Sequence, residues 1–171
     1  QIVESDLTGG SPNKVTRFDY LGGTAWRYDD NELTKPKYRT YGEFRGFQKV
    51  RVRVGDTGAR DLVSESTYLR GMDGDRLPDG TRRDVHVSDS QGGTVEDVDR
   101  AKGFLLEEIT YNGPSGAEVS AEITKPWISA PTAKDSTREA RLLGTASEES
   151  RTRLSGGALR KTRTTTTFDP T

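Results

Sequence analysis

Cysteine is absent from the 171 residues, which excludes disulfides, thiolate metal ligands and a cysteine nucleophile. The sequence has no apolar run near the ~20 residues that a membrane-spanning helix needs. No basic, apolar and small-residue signal segment opens it. The formal net charge is only -1, so no overall field attracts nucleic acid or an anionic membrane. These absences favour a protein with no membrane span and no nucleic-acid partner.

Apolar residues are also scarce. They make up 30% of the chain and the mean hydropathy is -0.82, so a core on both faces of every element is not expected. Low hydrophobicity is one mark of disorder, but the other mark, a high net charge, is missing. Aromatic and β-branched residues recur at the spacing of strands. We therefore expect a folded chain with a thin core.

Short segments of alternating polarity dominate the sequence and predict strands. They lie at 15–20, 47–54, 62–69, 82–89, 105–112, 117–123, 136–143 and 160–168. Turn-forming clusters rich in Gly, Pro, Asn and Asp separate them. One of these clusters, NGPSG at 112–116, is typical of a hairpin. The pattern predicts a single all-β unit over 1–171, built from antiparallel strands.

The alternation also predicts how the strands use their two faces. In 47–54 the valines at 50, 52 and 54 alternate with Lys49, Arg51 and Arg53. In 117–123 the apolar residues Val119, Ala121 and Ile123 alternate with Glu118, Ser120 and Glu122. We expect one dry apolar face and one wet charged face. Only 94–102 suggests a short helix, with Thr94 as N-cap and Asp97 three residues later.

The segment GMDGDRLPDG (71–80) is the strongest candidate for a calcium site. Its possible ligands are Asp73, Asp75 and Asp79. An EF-hand loop that starts at Asp73 needs an oxygen ligand at position 5 and Gly at position 6. Leu77 and Pro78 stand there instead. The two Asp-Gly pairs are typical of hairpin turns, so a turn between two strands is the preferred interpretation and no metal is expected.

Other charged groups give no clear site. Asp29, Asp30 and Glu32 form a second acidic cluster, which we interpret as a solvated turn. His86 is the only histidine and has no Gly-x-Ser-x-Gly motif to pair with. The basic segments at 45–53 and 160–163 are interpreted as solvated faces, because acidic residues are equally frequent. We expect no enzyme activity and no cofactor.

A longer string of motifs resembles a known family. YDDNELT (28–34) is similar to the core of a YD repeat, Tyr-Asp, two residues, then Gly-Arg-Leu-Thr, and MDGDRLPDG (72–80) is a degenerate version. In order, the chain also carries VTRFDYLGGTAWRYDD, RGFQKVRVRVGD, EEITYNGPSGAEVSAEI, PW and RTTTTFDP. Together they resemble the secreted RHS/YD-repeat proteins of actinobacteria, in the stretch that leads into the repeats. This resemblance covers essentially the whole chain.

The resemblance implies an architecture. RHS proteins, and the related Tc-toxin B/C components and teneurins, wind a long β-sheet strip into a hollow shell that encloses a toxin in some members. It implies a non-enzymatic wall segment, secreted or at the cell surface, whose 71–80 turn joins neighbouring strands of the strip. The alternative is a compact β-sandwich that binds carbohydrate or protein through Trp26, Tyr28 and Trp127.

The ends of the chain suggest its partners. Residue 1 is Gln rather than Met, so a processing or cloning boundary is expected there. Segments 14–20 and 160–168 are predicted strands near the two ends. If the chain is part of a strip, both would expose unpaired backbone groups. We expect them to pair with other segments of the same RHS protein or to self-associate.

Overall fold

The protein is almost entirely β-structure. The computed structural model describes residues 1–31, 33–55, 61–135 and 139–169. It contains 54% strand and 4% helix, which confirms the all-β prediction against the ~20–25% strand of an average domain. In chain order the strands are β1 (Ile2–Glu4), β2 (Lys14–Arg27), β3 (Glu43–Gly55), β4 (Leu62–Tyr68), β5 (His86–Ser88), β6 (Thr94–Glu96), β7 (Leu105–Asn112), β8 (Glu118–Ile128), β9 (Ala133–Lys134), β10 (Glu139–Ala140), β11 (Leu143–Arg153) and β12 (Leu159–Thr165). No helix in these ranges is long and apolar enough to cross a membrane.

Eight strands form one open antiparallel sheet in the order β1-β2-β3-β4-β7-β8-β11-β12. Each strand pairs with the next one along the chain, once the two small hairpins β5–β6 and β9–β10 are set aside. The sheet does not close, so β1 and β12 are its edges. The predicted strip of hairpin-connected strands is therefore present. The alternative sandwich, which needs two facing sheets with Greek-key crossings, is not the architecture found.

Long and short connections lie at opposite ends of the sheet. Because successive strands alternate in direction, residues 28–42, 69–104 and 129–142 all extend from one end. The tight turns 113–117 and 154–158 lie at the other end. The NGPSG turn is confirmed as the β7–β8 hairpin, where the N–H of Asn112 donates to Ala117 O at 3.0 Å.

Residues 69–104 form an insertion that packs on one face of the sheet, which we call the covered face. Its core contains Leu69, Val87 and Ala101 packed against Leu106 of β7. Val95, Val98 and Phe104 complete this cluster. Ile109, Ala121 and Ile123 of the main sheet are also buried. The opposite, open face has no such cover among the described residues.

The segment 71–80 belongs to this insertion. It forms its own tight turn, in which Leu77 N donates to Thr81 O at 2.8 Å and Arg76 pairs with Arg82. The turn interpretation is correct. Its predicted place was wrong, because β4 and β7, the neighbouring strands of the strip, are joined by the whole insertion.

The predicted helix at 94–102 is wrong. Thr94–Glu96 is strand β6, paired with β5, and only Asp99–Ala101 forms a 3-10 turn. Asp97 is fully buried, and its carboxylate accepts backbone N–H bonds from Arg70 at 2.6 Å, Gly71 at 2.7 Å and Met72 at 3.1 Å. The acidic side chain therefore fixes the chain as it leaves β4 instead of stabilising a helix start.

The predicted use of the two faces is confirmed in β8 for Ala121 and Ile123, which are buried, and for Glu122, which is exposed, but it was wrong for β3. Cross-strand pairing puts the three valines of β3 on the open face, together with Phe18, which is 37% exposed, and Tyr20, which is 56% exposed. The charged face of β3 is the covered one, because cross-strand pairing connects Arg51 through Glu65, Ile109 and Ala121 to Arg151, which contacts the insertion. Where β7 pairs with β8, an irregularity between Thr110 and Tyr111 of β7 leaves Val119 of β8 39% exposed and brings Glu118 toward β11.

Several strand boundaries differ from the prediction. Strand β7 matches 105–112. The segment 82–89 contains only β5, and 160–168 stops at Thr165. The segment 136–143 contains β10 and the first residue of β11, while 136–138 lie outside the described residues. Strand β11 itself was missed, because LGTASEESRTR has no apolar alternation.

Candidate functional site

The covered face is organised around Arg151 of β11, whose side chain is fully buried. Its Nε donates to Glu118 Oε1 at 3.0 Å, and its Nη2 donates to Glu107 Oε1 at 3.2 Å and Ser90 Oγ at 2.9 Å. Burial alone would lower the pKa of Arg151, but the bonds to Glu118 and Glu107 raise it overall. The guanidinium therefore stays charged, and it joins β7, β8 and β11 to the insertion.

Two more ion groups extend this pattern across the sheet. Glu65 of β4 binds Lys49 Nζ at 2.7 Å and Arg51 Nη2 at 2.8 Å, both from β3. Burial raises the pKa of Glu65, but these two hydrogen bonds outweigh it and the net shift is downward. Asp89 of the insertion binds Lys125 of β8 at 2.8 Å. Acids and bases on adjacent elements thus neutralise each other on this face, where the carboxylates are buried and the cations are partly exposed.

The insertion contacts the sheet from one side to the other. Near β2, Arg27 Nη1 donates to Gly71 O at 2.5 Å and to Asp73 O at 3.0 Å. At β3, Arg45 Nη1 lies 2.6 Å from Asp99 Oδ1. At the far edge, Lys161 of β12 donates to Gln91 Oε1 at 3.2 Å. One segment therefore contacts the sheet across most of its width, from β2 to β12.

The open face carries four aromatic side chains in a line, which we call the aromatic row. Ring centroids are 4.7 Å apart for Tyr20 and Phe47, 6.2 Å for Phe47 and Phe44, and 5.0 Å for Phe44 and Trp26. Trp26 is 47% exposed and Phe44 is 51% exposed. Runs of exposed apolar side chains of this kind mark contact surfaces more often than isolated ones do.

The three predicted binding residues do not form one site. Trp26 belongs to the aromatic row. Tyr28 lies beyond the end of β2, edge-on to Tyr41 at 5.4 Å. Trp127 stacks on Phe168 at 4.0 Å, and the alternation along β8 puts it on the same covered face as Lys125. Since β2 and β8 are four strand spacings apart, about 19 Å at ~4.8 Å each, Trp26 and Trp127 cannot share one small ligand.

Tyr28 lines an open cleft of about 630 Å³ at the end of the sheet that carries the long connections. Arg27, Asp29, Asp30, Asn31, Thr40, Gly42, Glu43, Arg45 and Asp99 complete its lining. Asp29 accepts from Asn31 N at 2.8 Å, and Asp30 lies 3.5 Å from Arg82. Glu32, the third member of this predicted acidic cluster, lies outside the described residues. The acidic groups described here are thus used in local turns and ion pairs.

The three calcium candidates point to different protein donors. Asp75 is fully buried and accepts from Tyr28 N at 3.0 Å and Arg83 Nε at 3.0 Å. Asp73 accepts from Val85 N at 2.9 Å, and Asp79 accepts from Thr81 N at 3.0 Å. No group of three or more acidic or histidine side chains suited to a metal occurs within the described ranges. That no metal binds stays a prediction.

His86 lies in a small acidic environment. Its Nδ1 is 3.1 Å from Asp84, and it pairs across the β5–β6 hairpin with Glu96. A hydrogen bond to Asp73 is the main cause that raises the pKa of Glu96, followed by burial and the charge of Asp73. The neighbours of His86 are carboxylates, which does not resemble a nucleophile and base pair.

Sequence reasoning missed the Arg151 group. Its members come from β7, β8, β11 and the insertion, and no local motif links them. The available signal was the strand LLEEITYN, which places Glu107 on the same face as Ile109. An acidic residue on a buried face requires a cation from a neighbouring strand, but the sequence alone does not identify which one.

No model of a known protein family matches the chain, and no curated protein matches it. Among solved structures, the crystal structure of TcdB2-TccC3-TEV has a similar fold, with a TM-score of 0.56 and 14% sequence identity. The match covers 88% of this chain and 8% of that chain, so the chain spans less than a tenth of its neighbour's length. At this identity the similarity shows the fold alone.

Proposed function

We propose that this chain is a non-enzymatic wall segment of an RHS/YD-repeat-type shell, in a secreted or toxin-delivery protein. The observation that carries the proposal is the sheet topology. Eight strands follow one another in a single open sheet with no closure at either edge. A compact binding domain buries such edges, whereas a strip that continues in both directions leaves them available for its neighbours.

The structural neighbour supports this proposal. The neighbour is a Tc toxin component. The match covers 88% of this chain but only 8% of the neighbour. A short piece of a much longer strip has that relationship to a complete shell. The RHS-like string of motifs, which runs from VTRFDYLGG to RTTTTFDP, independently supports the same family.

The composition fits a wall one sheet thick. With 30% hydrophobic residues the chain cannot form a thick core, and the buried apolar side chains lie mainly between the sheet and the insertion. Ion pairs such as Glu65–Arg51 take the place of apolar packing elsewhere on the covered face. The insertion, which is tied to β2, β3, β11 and β12, would keep the curvature of the wall constant.

The non-enzymatic part of the proposal is supported by how the charged groups are used. In the cleft, Arg45 binds Glu43 at 2.6 Å and Asp99 at 2.6 Å. On the covered face, Arg151 binds Glu107 and Glu118. These groups neutralise one another within the fold. A catalytic site instead holds perturbed groups toward a substrate in a cleft.

The protection of the edge strands β1 and β12 from hydrogen exchange tests the proposal. The isolated chain is compared with a longer fragment of its parent protein by hydrogen exchange and by size-exclusion chromatography with light scattering. We expect the amides of β1 and β12 to exchange fast in the isolated chain, or to be protected only when it self-associates. In the longer fragment both strands become protected. A strict monomer with protected edge strands would contradict the wall role.

A second candidate is a contact surface for carbohydrate or protein, favoured by the aromatic row. Oligosaccharides of pyranose rings are suitable probes, because their apolar faces stack on exposed aromatic rings. In a Trp127→Phe variant the intrinsic fluorescence comes from Trp26 alone. Saturable quenching that Phe44→Ala weakens would support this role. Unchanged fluorescence at millimolar sugar would eliminate the carbohydrate form of it.

A further inference from the structure

Strand β12 is an exposed edge with a regular structure. All seven of its residues from Leu159 to Thr165 are exposed, and its only strand partner in the described part of the chain is β11. The backbone groups on its outer side are therefore available to another strand. Natural sheets often block such edges by bulges, Pro or a covering loop. In the part of the chain that the structure describes, β12 has no bulge, proline or covering loop on its outer side. Its charged side chains Arg160, Lys161 and Arg163 discourage unselective pairing but leave the backbone groups available to a strand of suitable charge.

Several directly paired positions on the covered face carry opposite charges, although Arg17 of β2 lies opposite Arg53 of β3. Asp19 of β2 lies opposite Arg51 of β3, which lies opposite Glu65 of β4. Glu149 of β11 lies opposite Arg163 of β12, and their side chains are 2.6 Å apart. Opposite charges at directly paired positions stabilise a sheet, and like charges destabilise it. A cation at the edge of this face is therefore best matched by a carboxylate on the next strand.

At the β12 edge the pairing of opposite charges is incomplete. Lys161 lies directly opposite Arg151, so two cations face each other. Arg151 already binds Glu107 and Glu118 through its Nε and Nη2, while its buried Nη1 has no hydrogen-bond partner among the described residues. The hydrogen bond from Lys161 goes to a neutral amide, that of Gln91. Among the residues described, Lys161 has no carboxylate within ion-pair distance. Arg163 lies two residues after Lys161 in β12, on the same face, and is a second cation at this edge.

We propose that the β12 edge binds an antiparallel strand whose covered face carries carboxylates two residues apart, opposite Lys161 and Arg163. This inference rests on the proposed wall role and names the neighbour that the wall requires on this side. Backbone hydrogen bonds supply the pairing, and the two carboxylates set its register. On the open face the same strand meets Arg160, Thr162 and Thr164.

A second copy of this chain matches this edge poorly. Strand β1 pairs Val3 with Val15 and Glu4 with Lys14. Pairing therefore places Val3 on the covered face and Glu4 on the open face. If β1 of a copy continued the sheet beside β12, a valine would meet the cationic row and the carboxylate would lie on the other face. The acidic strand therefore comes from outside these 171 residues.

Peptide binding to the intact 171-residue chain tests the inference. The probe is a labelled ten-residue peptide of alternating Glu and Thr, and the matched peptide has Gln for every Glu. We expect the Glu peptide to bind more tightly, and to protect the β12 amides from hydrogen exchange. The double variant Lys161→Gln/Arg163→Gln weakens binding roughly three- to tenfold, since each opposite-charge pair across strands contributes modestly.

Arg160→Gln is the matched control, because it removes a charge from the same strand on the opposite face. Its affinity for the Glu peptide stays within about twofold of the unchanged protein, because a screened surface charge contributes little. Melting temperatures of all variants verify that each remains folded. A Glu peptide with alternate backbone N–H groups methylated does not bind, because edge pairing needs those donors.

Three results would overturn the inference. The first is no binding at millimolar peptide, and the second is equal affinity for the Gln peptide. The third is a loss of affinity in Arg160→Gln as large as that in the double variant Lys161→Gln/Arg163→Gln. None of them affects the wall role, which depends on whether a longer parent fragment protects β1 and β12. If that fragment leaves both edges unprotected while the Glu peptide still binds, the wall role fails and the acidic-strand site remains.

Discussion

The Arg151 guanidinium lies 2.9 Å from the hydroxyl of Ser90, which joins strand β11 of the sheet to the tip of the insertion. These residues are far apart in the sequence. The same Ser90 also donates its backbone N–H to Glu107 at 2.9 Å. The contact is therefore part of a closed group of one cation, two carboxylates and a serine, and it holds the insertion on the covered face.

Replacing Arg151 by Met should destabilise the protein by about 3 kcal/mol, because it leaves Glu107 and Glu118 without a cation in a buried place. Urea denaturation followed by circular dichroism measures this loss. The triple variant Arg151→Met/Glu107→Gln/Glu118→Gln should recover most of it. Arg163→Met is the control and should cost less than ~1 kcal/mol, because that side chain is 69% exposed. Equal losses for the two arginines would contradict the interpretation.

Gly71 should tolerate alanine much less well than Gly74 does. Both have positive φ, +70° and +69°, so each alanine carries a strain of about 1 kcal/mol. A Cβ at Gly71 would lie 2.8 Å from Asp99 Cα, whereas none of the protein lies within 4 Å of one at Gly74. Gly71→Ala should therefore cost roughly 1–3 kcal/mol more. Similar melting temperatures for the two variants would show that the insertion does not pack closely there.

Acid should weaken the protein in part through Glu65. Its folded pKa lies below the ordinary value of 4.5, so its contribution to stability is complete above that pH. The contribution is lost as the pH falls through the lowered folded value. We expect Glu65→Gln to be less stable than the original protein at pH 7 and to approach it in acid. Urea midpoints measured between pH 7 and pH 3 test this, and a constant difference would argue against it.

Glu96 should behave in the opposite way. Its pKa is raised by the hydrogen bond to Asp73, by burial and by the Asp73 charge, while His86 acts against the shift. Its favourable contribution is complete below the ordinary value of 4.5 and is lost as the pH rises through the raised folded value. Glu96→Gln should therefore raise the melting temperature at pH 7 and not in acid. A destabilised variant at pH 7 would show that the two carboxylates do not repel.

Calcium should leave the melting temperature unchanged, and so should EDTA. Asp75 is already bound to Tyr28 N and Arg83, and Asp73 and Asp79 bind other backbone N–H groups. A site occupied at a hundredfold excess over its Kd would add about 2.7 kcal/mol, which a thermal scan detects easily. Asp79→Asn, which changes an exposed candidate without unfolding the insertion, is the control. A calcium-dependent rise that this variant abolishes would establish a metal site.

The sequence predicted the strands whose side chains alternate clearly. LLEEITYN became β7 at the predicted boundaries, and NGPSG became its hairpin turn. Strand β11 was missed because Ser, Glu and Arg have no preference that separates a strand from a solvated loop. Its place depends on pairing with β8 and β12, which are contacts that only the folded sheet supplies.

The covered face of β3 was predicted wrongly for a physical reason. Alternation in β3 shows that valines and cations are on opposite faces, but it does not show which face is covered. That depends on Glu65 and on the position of the insertion, which buries a charged face only where each cation meets a carboxylate. Similarly, Asp97 was expected to act within a helix, because the backbone N–H groups that it binds lie in another part of the chain.

Burial is uneven along the strip, with β4, β7 and β8 holding most of the buried residues and every residue of β12 exposed. Local opening therefore needs little free energy at the edge and much more in the middle. Amide exchange in β12 will report fraying of one strand, while exchange in β7 will require the whole sheet to unfold. The free energy of global unfolding is therefore obtained from amide exchange at Ile109, whereas exchange at Thr162 gives only the free energy of local fraying.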